Sequence, residues 1–149
     1  MFFNGVQGND LYDANRYFTD FPTFYGARST RLLDAWSPTN TSSQIPSPNI
    51  SAAEIEYSSS SYYVQNGSFF RMKNLQIGYN FPAQKLFGSK VGINKFRIYA
   101  SATNVFTITK YTGLDPEVSQ ESATFSAPGI DRGIYPNPRQ FLLGLSVGF

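Results

Sequence analysis

The sequence predicts an all-β chain: an antiparallel segment of a transmembrane β-barrel, about four strands joined by long extracellular loops. Three observations predict it. Stretches with strand character alternate apolar and polar residues with a period of two. Aromatic residues make up 17% of the 149-residue chain and charged residues only 15%, against about 25% charged in ordinary soluble domains. The connections between the stretches run long, short, long, as the loops and turns of outer-membrane barrels do.

The first stretch is short, from Met1 to about Val6. The second runs from about Phe69 to Phe81 and places Leu75, Ile77, Tyr79 and Phe81 on one face, opposite Asn74, Gln76, Gly78 and Asn80. Arg71 and Lys73 fall by count on the same face as Leu75. A charge facing lipid costs about 2–4 kcal/mol at mid-membrane and almost nothing near the interface. Either this end projects above the membrane or a bulge shifts the register; the first is the expectation, because the apolar residues gather at the other end.

The third stretch, about Lys95 to Ile108, puts Phe96, Ile98, Ala100, Ala102, Phe106 and Ile108 on one face, interrupted by Asn104. Lys95, Arg97, Tyr99, Ser101 and Thr103 take the other. Phe96 and Phe106 are ten residues apart. At about 3.3 Å per residue and a tilt of about 45°, that spans roughly 23 Å along the membrane normal, close to the about 25 Å between the aromatic girdles of a barrel. The fourth stretch, Arg139 to Phe149, alternates most cleanly, with Phe141, Leu143, Leu145, Val147 and Phe149 against Gln140, Leu142, Gly144, Ser146 and Gly148. Leu143, Leu145, Val147, Ile98 and Phe106 are expected to face lipid; Tyr99, Ser101, Thr103 and Ser146 are expected to face the lumen. The rival for these strands is the half-buried sheet of a soluble sandwich.

Asp10 to Ser68 and Thr109 to Pro138 are long and polar, and the Ser37–Pro48 stretch has no usable periodicity. Pro82 to Asn94 is the short connection, where Gln84–Gly88 is read as one helical turn. Alternating directions make the two long connections extracellular and the short one periplasmic.

Several function classes are disfavoured. With 12 basic and 10 acidic residues there is no concentrated basic surface for nucleic acid. Cys and His are both absent, which removes disulfides, thiolate nucleophiles, Cys/His metal sites and the common catalytic triads. No catalytic residue, cofactor or metal ligand is expected, and the chain is not read as an enzyme. Asp115 and Glu117 are read as turn-capping loop carboxylates rather than an acid/base pair. Trp36, Tyr62, Tyr63 and Tyr111 are read as structural anchors, although sugar stacking by them would suit the alternative, a soluble all-β carbohydrate-binding module. No apolar run approaches the about 20 residues of a membrane helix, which leaves a barrel untouched. The Met1–Val6 start has no export signal, so a signal peptide is expected upstream.

A wider resemblance rests on phrases in order and spacing. They are Asn9–Arg16 (NDLYDANR), Arg31–Asn40 (RLLDAWSPTN), Asn66–Phe81 (NGSFFRMKNLQIGYNF), Phe96–Thr107 (containing ATNVFT), Lys110–Glu117 (KYTGLDPE) and Gly129–Arg139 (GIDRGIYPNPR). Together they resemble the C-terminal part of the SusC/RagA-family TonB-dependent transporters of Bacteroidetes. The resemblance implies that residues 1–149 are an incomplete C-terminal part of a plugged barrel of about 22 strands, with the plug and upstream strands outside the chain. Four strands cannot close a barrel, since bacterial outer-membrane barrels begin at about 8. It further implies import of nutrients, typically glycans and sometimes peptides, across the cell outer membrane. The partners implied are the TonB complex acting through upstream regions, a SusD-like surface lipoprotein, the barrel-assembly machinery and the lipid bilayer. Phe141, Leu143, Leu145, Val147 and Phe149 resemble the signal that the assembly machinery reads. The substrate-binding residues are left open.

Overall fold

A computed structural model describes residues 1–21, 26–48, 58–83, 85, 88, 92–118, 121–122, 125–126 and 129–149. The described strands, in chain order, are β1 (Phe2–Val6), β2 (Asp10–Asp13), β3 (Val64–Asn66), β4 (Phe69–Phe81), β5 (Lys95–Thr109), β6 (Glu121–Ser122), β7 (Phe125–Ser126), β8 (Ile130–Asp131) and β9 (Gln140–Gly148). One short helix, α1 (Arg16–Thr19), and 3-10 turns at Thr30–Asp34 and Ser61–Tyr63 complete the described elements. The chain divides into two compact units: residues 1–7, 68–110 and 136–149 form one, and residues 8–67 with 111–135 form the other.

The first unit is a four-stranded sheet in the order β1-β4-β5-β9, with every neighbouring pair antiparallel. These are the four stretches that the alternation picks out, with ends shifted by a residue or so. Pairing is continuous over β5 and β9, from Lys95 opposite Gly148 to Thr103 opposite Gln140. Because partners across a ladder share a face, each row is uniform. Leu75, Ala102 and Phe141 form one apolar row, and Ile77, Ala100 and Leu143 form another. Tyr79, Ile98 and Leu145 follow, then Phe81, Phe96 and Val147.

The expectation of an unbroken β4 is corrected. Its register shifts between Met72 and Asn74 against both neighbours, and Asn104 opposite adopts φ +50°. Phe2 pairs with Asn74 but Phe3 pairs with Met72, so β4 carries one extra residue, Lys73. That extra residue reverses the parity of β4. Phe70 and Met72 therefore join the Leu75 side, where Phe70 stacks on Phe3 at 5.4 Å and meets Phe106 at 6.4 Å. Arg71 moves to the opposite side. There it is 3% exposed, its guanidinium lies over the Phe69 ring at 5.7 Å, and its Nε donates to Thr107 Oγ1 at 2.9 Å. The bulge is what keeps this charge off the apolar face.

In the connection after β4, Lys85 N–H donates to Pro82 O at 3.0 Å, and Asn94 N–H donates to Gly148 O at 2.8 Å. Gln84, Leu86 and Phe87 of the expected helical turn lie outside the described residues.

The second unit holds a three-stranded sheet in the order β3-β2-β8, with a separate β6–β7 pair. The β2–β8 pairing is parallel, and it lies in the long connections, outside the four antiparallel strands that the alternation predicts. Strands this short carry no detectable period. A parallel pair also needs a long crossover, here supplied by more than a hundred intervening residues. Leu11, Phe21, Tyr63 and Tyr111 form the buried apolar part of this unit.

Candidate functional site: a two-faced sheet and a buried polar network

The four-stranded sheet separates chemistry by side. On the apolar side Leu143 is 77% exposed, Leu145 66% and Ile77 64%. Phe141 and Phe149 are also largely exposed. A water-soluble protein rarely leaves so continuous an apolar surface uncovered. The other side carries Asn74, Gln76 and Asn80 from β4, with Lys95, Arg97, Tyr99, Ser101 and Thr103 from β5. Gln140 and Ser146 complete it from β9, with Leu142 as an apolar exception. Tyr99, Ser101, Thr103 and Ser146 thus share one face, and Ile98, Phe106, Leu143, Leu145 and Val147 share the other, as the alternation requires.

The second unit buries polar groups instead. Asp13 and Asp131 are register partners across the parallel β2–β8 pair, and both are almost fully buried. Asp13 Oδ2 accepts from Gln65 Nε2 at 2.7 Å and pairs with Arg16 Nε at 3.3 Å. Arg16 also donates to the Tyr62 carbonyl at 2.6 Å and lies over the Tyr62 ring. Asp131 accepts from the Tyr111 hydroxyl at 2.6 Å and the Gly133 N–H at 2.8 Å. Asp20, 1% exposed, accepts from the Tyr62 hydroxyl at 2.6 Å and pairs with Arg31 at 2.9 Å. Burial raises the Asp13 carboxyl above its ordinary range, partly offset by Arg16 and reinforced by Asp131. Burial, with the bonds to Asp131 and Asp20, pushes the Tyr111 and Tyr62 hydroxyls well above the usual phenol range. Each of these charges is matched by a specific partner, as buried ions must be. The network braces segments far apart in the chain, and no group of three or more His, Cys, Asp or Glu arranged to hold a metal occurs among the described residues.

No family model matches the chain. Curated proteins do. The chain is 39% identical over 153 residues to TonB-dependent receptor P3 of Formosa agariphila, an alignment covering all of this chain and 14% of that protein. It is 42% identical over 92 residues to TonB-dependent receptor SusC of Bacteroides thetaiotaomicron, covering 60% of this chain and 8% of that one. Among solved structures, the RagAB peptide transporter matches with a TM-score of 0.74 at 29% identity, over 99% of this chain and 15% of that chain. The chain belongs to the SusC/RagA-type TonB-dependent receptors. It spans about one-seventh of the length of the receptors that it matches end to end.

An apolar face backed by a polar one is the pattern that the wall strands of outer-membrane barrels carry. The relatives are named as receptors and not as enzymes. Within the receptor segment, Asp115 is buried and its Oδ1 accepts the Glu117 N–H at 2.9 Å, which is the turn-capping role expected of it. Tyr62, Tyr63 and Tyr111 are anchors of the second unit, as expected. Tyr63 is fully buried and touches the rings of Tyr12, Tyr17, Phe21 and Tyr62. Trp36 is half-exposed, and its backbone N–H donates to Ile45 O at 2.8 Å, beside the Ser37–Asn40 bridge. Sequence reasoning missed Asp13, Arg16, Gln65 and Asp131. Their signal was present only as charges in a charge-poor chain, because contact between residues 13 and 131 leaves no local pattern.

Proposed function

We propose that this chain supplies four adjacent wall strands of a nutrient importer in the cell outer membrane, driven by the TonB complex through regions outside the chain. The observation that carries the reading is the uncovered apolar face of the β1-β4-β5-β9 sheet, backed by a polar one. The cargo is an oligosaccharide, taken up with a SusD-like surface lipoprotein as partner, as the resemblance of the quoted phrases to the SusC/RagA family implies. An oligopeptide cargo is the second reading, favoured by the likeness to the RagAB peptide transporter. The face of Phe141, Leu143, Leu145, Val147 and Phe149 is proposed to be read by the barrel-assembly machinery, and its unbroken alternation supports that role.

Spin labels at Leu145 and at Ser146 in the complete receptor test the wall. The label at 145 is expected to be relaxed by oxygen dissolved in lipid, and the label at 146 by a water-soluble nickel chelate. Equal access of the chelate to both positions would overturn the reading. Uptake of labelled oligosaccharides and oligopeptides by cells with and without the receptor decides the cargo.

A further inference from the structure

Alternation fixes which side of a strand faces lipid, but it does not fix register. A slip by two residues returns every side chain to the same side. Something else must select the pairing of β5 with β9. The rows through the polar side show what it is. Tyr99 pairs with Gly78 on β4 and with Gly144 on β9, so the largest side chain of this face stands between two glycines. A Cβ at residue 144 would stand 2.6 Å from Cε1 of the Tyr99 ring, closer than real Cβ contacts come. A Cβ at residue 78 would stand 2.8 Å from Arg97 Nη2. The ring therefore lies across β9 in the space that Gly144 leaves, and the Arg97 guanidinium lies across β4 in the space that Gly78 leaves. Packing of an aromatic ring over a strand glycine is a recognised means of holding register.

The neighbouring registers lack this fit. A two-residue slip in one direction would set Leu142 opposite Tyr99, and in the other it would set Ser146 there. Both side chains project into the space that the ring needs. Gly148 is different: a Cβ there would approach Lys95 Cβ at 3.3 Å, which a small shift accommodates.

We propose that Tyr99, seated over Gly144 with Arg97 seated over Gly78, is the positioning residue that selects the register of β5 against β9 when the wall forms. It acts through backbone pairing and touches no cargo in this role, so it stands whether the cargo is a saccharide or a peptide.

The chain contains no cysteine, so paired cysteines can report register in the complete receptor, with any cysteines elsewhere replaced. Ser101 and Leu142 are partners in the observed register, while Thr103 and Leu142 would be partners after the slip that brings Ser146 to Tyr99. Diagonal neighbours lie about 7–8 Å apart and are poorly placed for a disulfide. The Ser101→Cys/Leu142→Cys pair is therefore expected to cross-link in the parent receptor, and the Thr103→Cys/Leu142→Cys pair is not.

Adding Gly144→Val is expected to shift the ratio of the two cross-links toward the slipped pair by roughly five-fold or more, equivalent to about 1 kcal/mol. Gly148→Ala is expected to leave the ratio unchanged. The transposed variant Tyr99→Gly/Gly144→Tyr is expected to restore the parent ratio. If Gly144→Val yields too little folded receptor, Tyr99→Ser/Gly144→Val, which removes the ring, is expected to recover folded receptor. A parent-like ratio in folded Gly144→Val, or failure of both double variants to restore register or folding, would overturn the proposal.

Discussion

The Tyr111 hydroxyl donates to Asp131 Oδ2 at 2.6 Å, and Asp131 is in turn the ladder partner of Asp13 across the parallel β2–β8 pair. One phenol thus holds the carboxylate that closes the second unit. Tyr111→Phe removes this bond and leaves Asp131 with the Gly133 N–H. Hydrogen bonds to charged groups contribute about 1.5–3 kcal/mol. Hydrogen exchange in the complete receptor is expected to show lost protection at residues 10–13 and 129–133, with the β4–β5 ladder unaffected.

Acid is expected to tighten the same unit. The folded-state carboxyl of Asp13 is raised above its unfolded value of about 3.9, first by burial. A group raised in this way binds its proton more readily when folded. Its stabilising contribution is complete below the unfolded value and is lost as pH rises through the folded one. Amide protection in β2 should therefore decline as pH rises from about 4 and level off once Asp13 is ionised. Asp13→Asn is expected to flatten that part of the profile. A slope unchanged in Asp13→Asn would assign it to another group.

The extra residue in β4 makes a prediction by deletion. Removing Lys73 sets Met72 beside Asn74, so plain alternation keeps Phe70 and Met72 on the Leu75 side and Arg71 on the opposite one, as the bulge does. An arginine facing lipid costs about 2–4 kcal/mol at the midplane and less toward the interface. The deletion avoids that cost, so heat-modifiable, folded receptor in outer membranes is expected to stay near parental; a large loss would show that the bulge does more than set the phase of β4. Lys73→Ala, which keeps the count, is expected to leave it near parental.

Adjacent residues of β9 should respond oppositely to the same charge. Leu145→Arg places a guanidinium on the exposed apolar face, and Ser146→Arg places it on the polar one. The first lies between the girdle row and the midplane, so it is expected to cost less than the about 2–4 kcal/mol of a midplane arginine but still to lower the folded fraction; the second is expected to cost close to nothing in folding. Equal folded fractions would mean that the two faces see the same solvent.

Phe149 follows the last residue of β9 and is largely exposed. As ordinary apolar surface it contributes about 1.5–3 kcal/mol at most, which a large barrel absorbs. As part of a recognition face for the assembly machinery, its loss acts earlier. Deleting Phe149 from the complete receptor is expected to deplete folded receptor in outer membranes without weakening cargo binding by the molecules that do fold. Normal folded levels would leave Phe149 an ordinary exposed aromatic residue.

The wall was legible in the sequence because long strands repeat a two-residue signal many times. Arg139–Phe149 is the clear case: its alternation alone places Leu145 and Ser146 on opposite faces. β4 was legible in extent but not in phase. The mismatch of Arg71 with Leu75 was the visible sign of the bulge, but a bulge and a projecting strand end leave the same mark when only one strand is read. Pairing with Phe2 and Phe3 was needed to separate them. The second unit was nearly illegible. Asp13, Arg16, Tyr111 and Asp131 all lie within phrases that resemble the family, yet nothing in those phrases says that the residues meet. Two-residue strands such as β8 hold too few positions for any period to emerge.

The division of the chain has a consequence for the order of folding. Residues 8–67 and 111–135 belong to one unit, but β4, β5 and their connection lie between them. If nothing else joined them, closing that separation would carry a loop-entropy cost before any contact repaid it. The hairpin removes most of that cost: Phe69 pairs with Thr109, and Thr109 Oγ1 donates to Ser68 O at 2.8 Å, so residues 67 and 111 emerge side by side. The parallel β2–β8 pair and its buried carboxylates are thus placed to close late, after the hairpin has zipped.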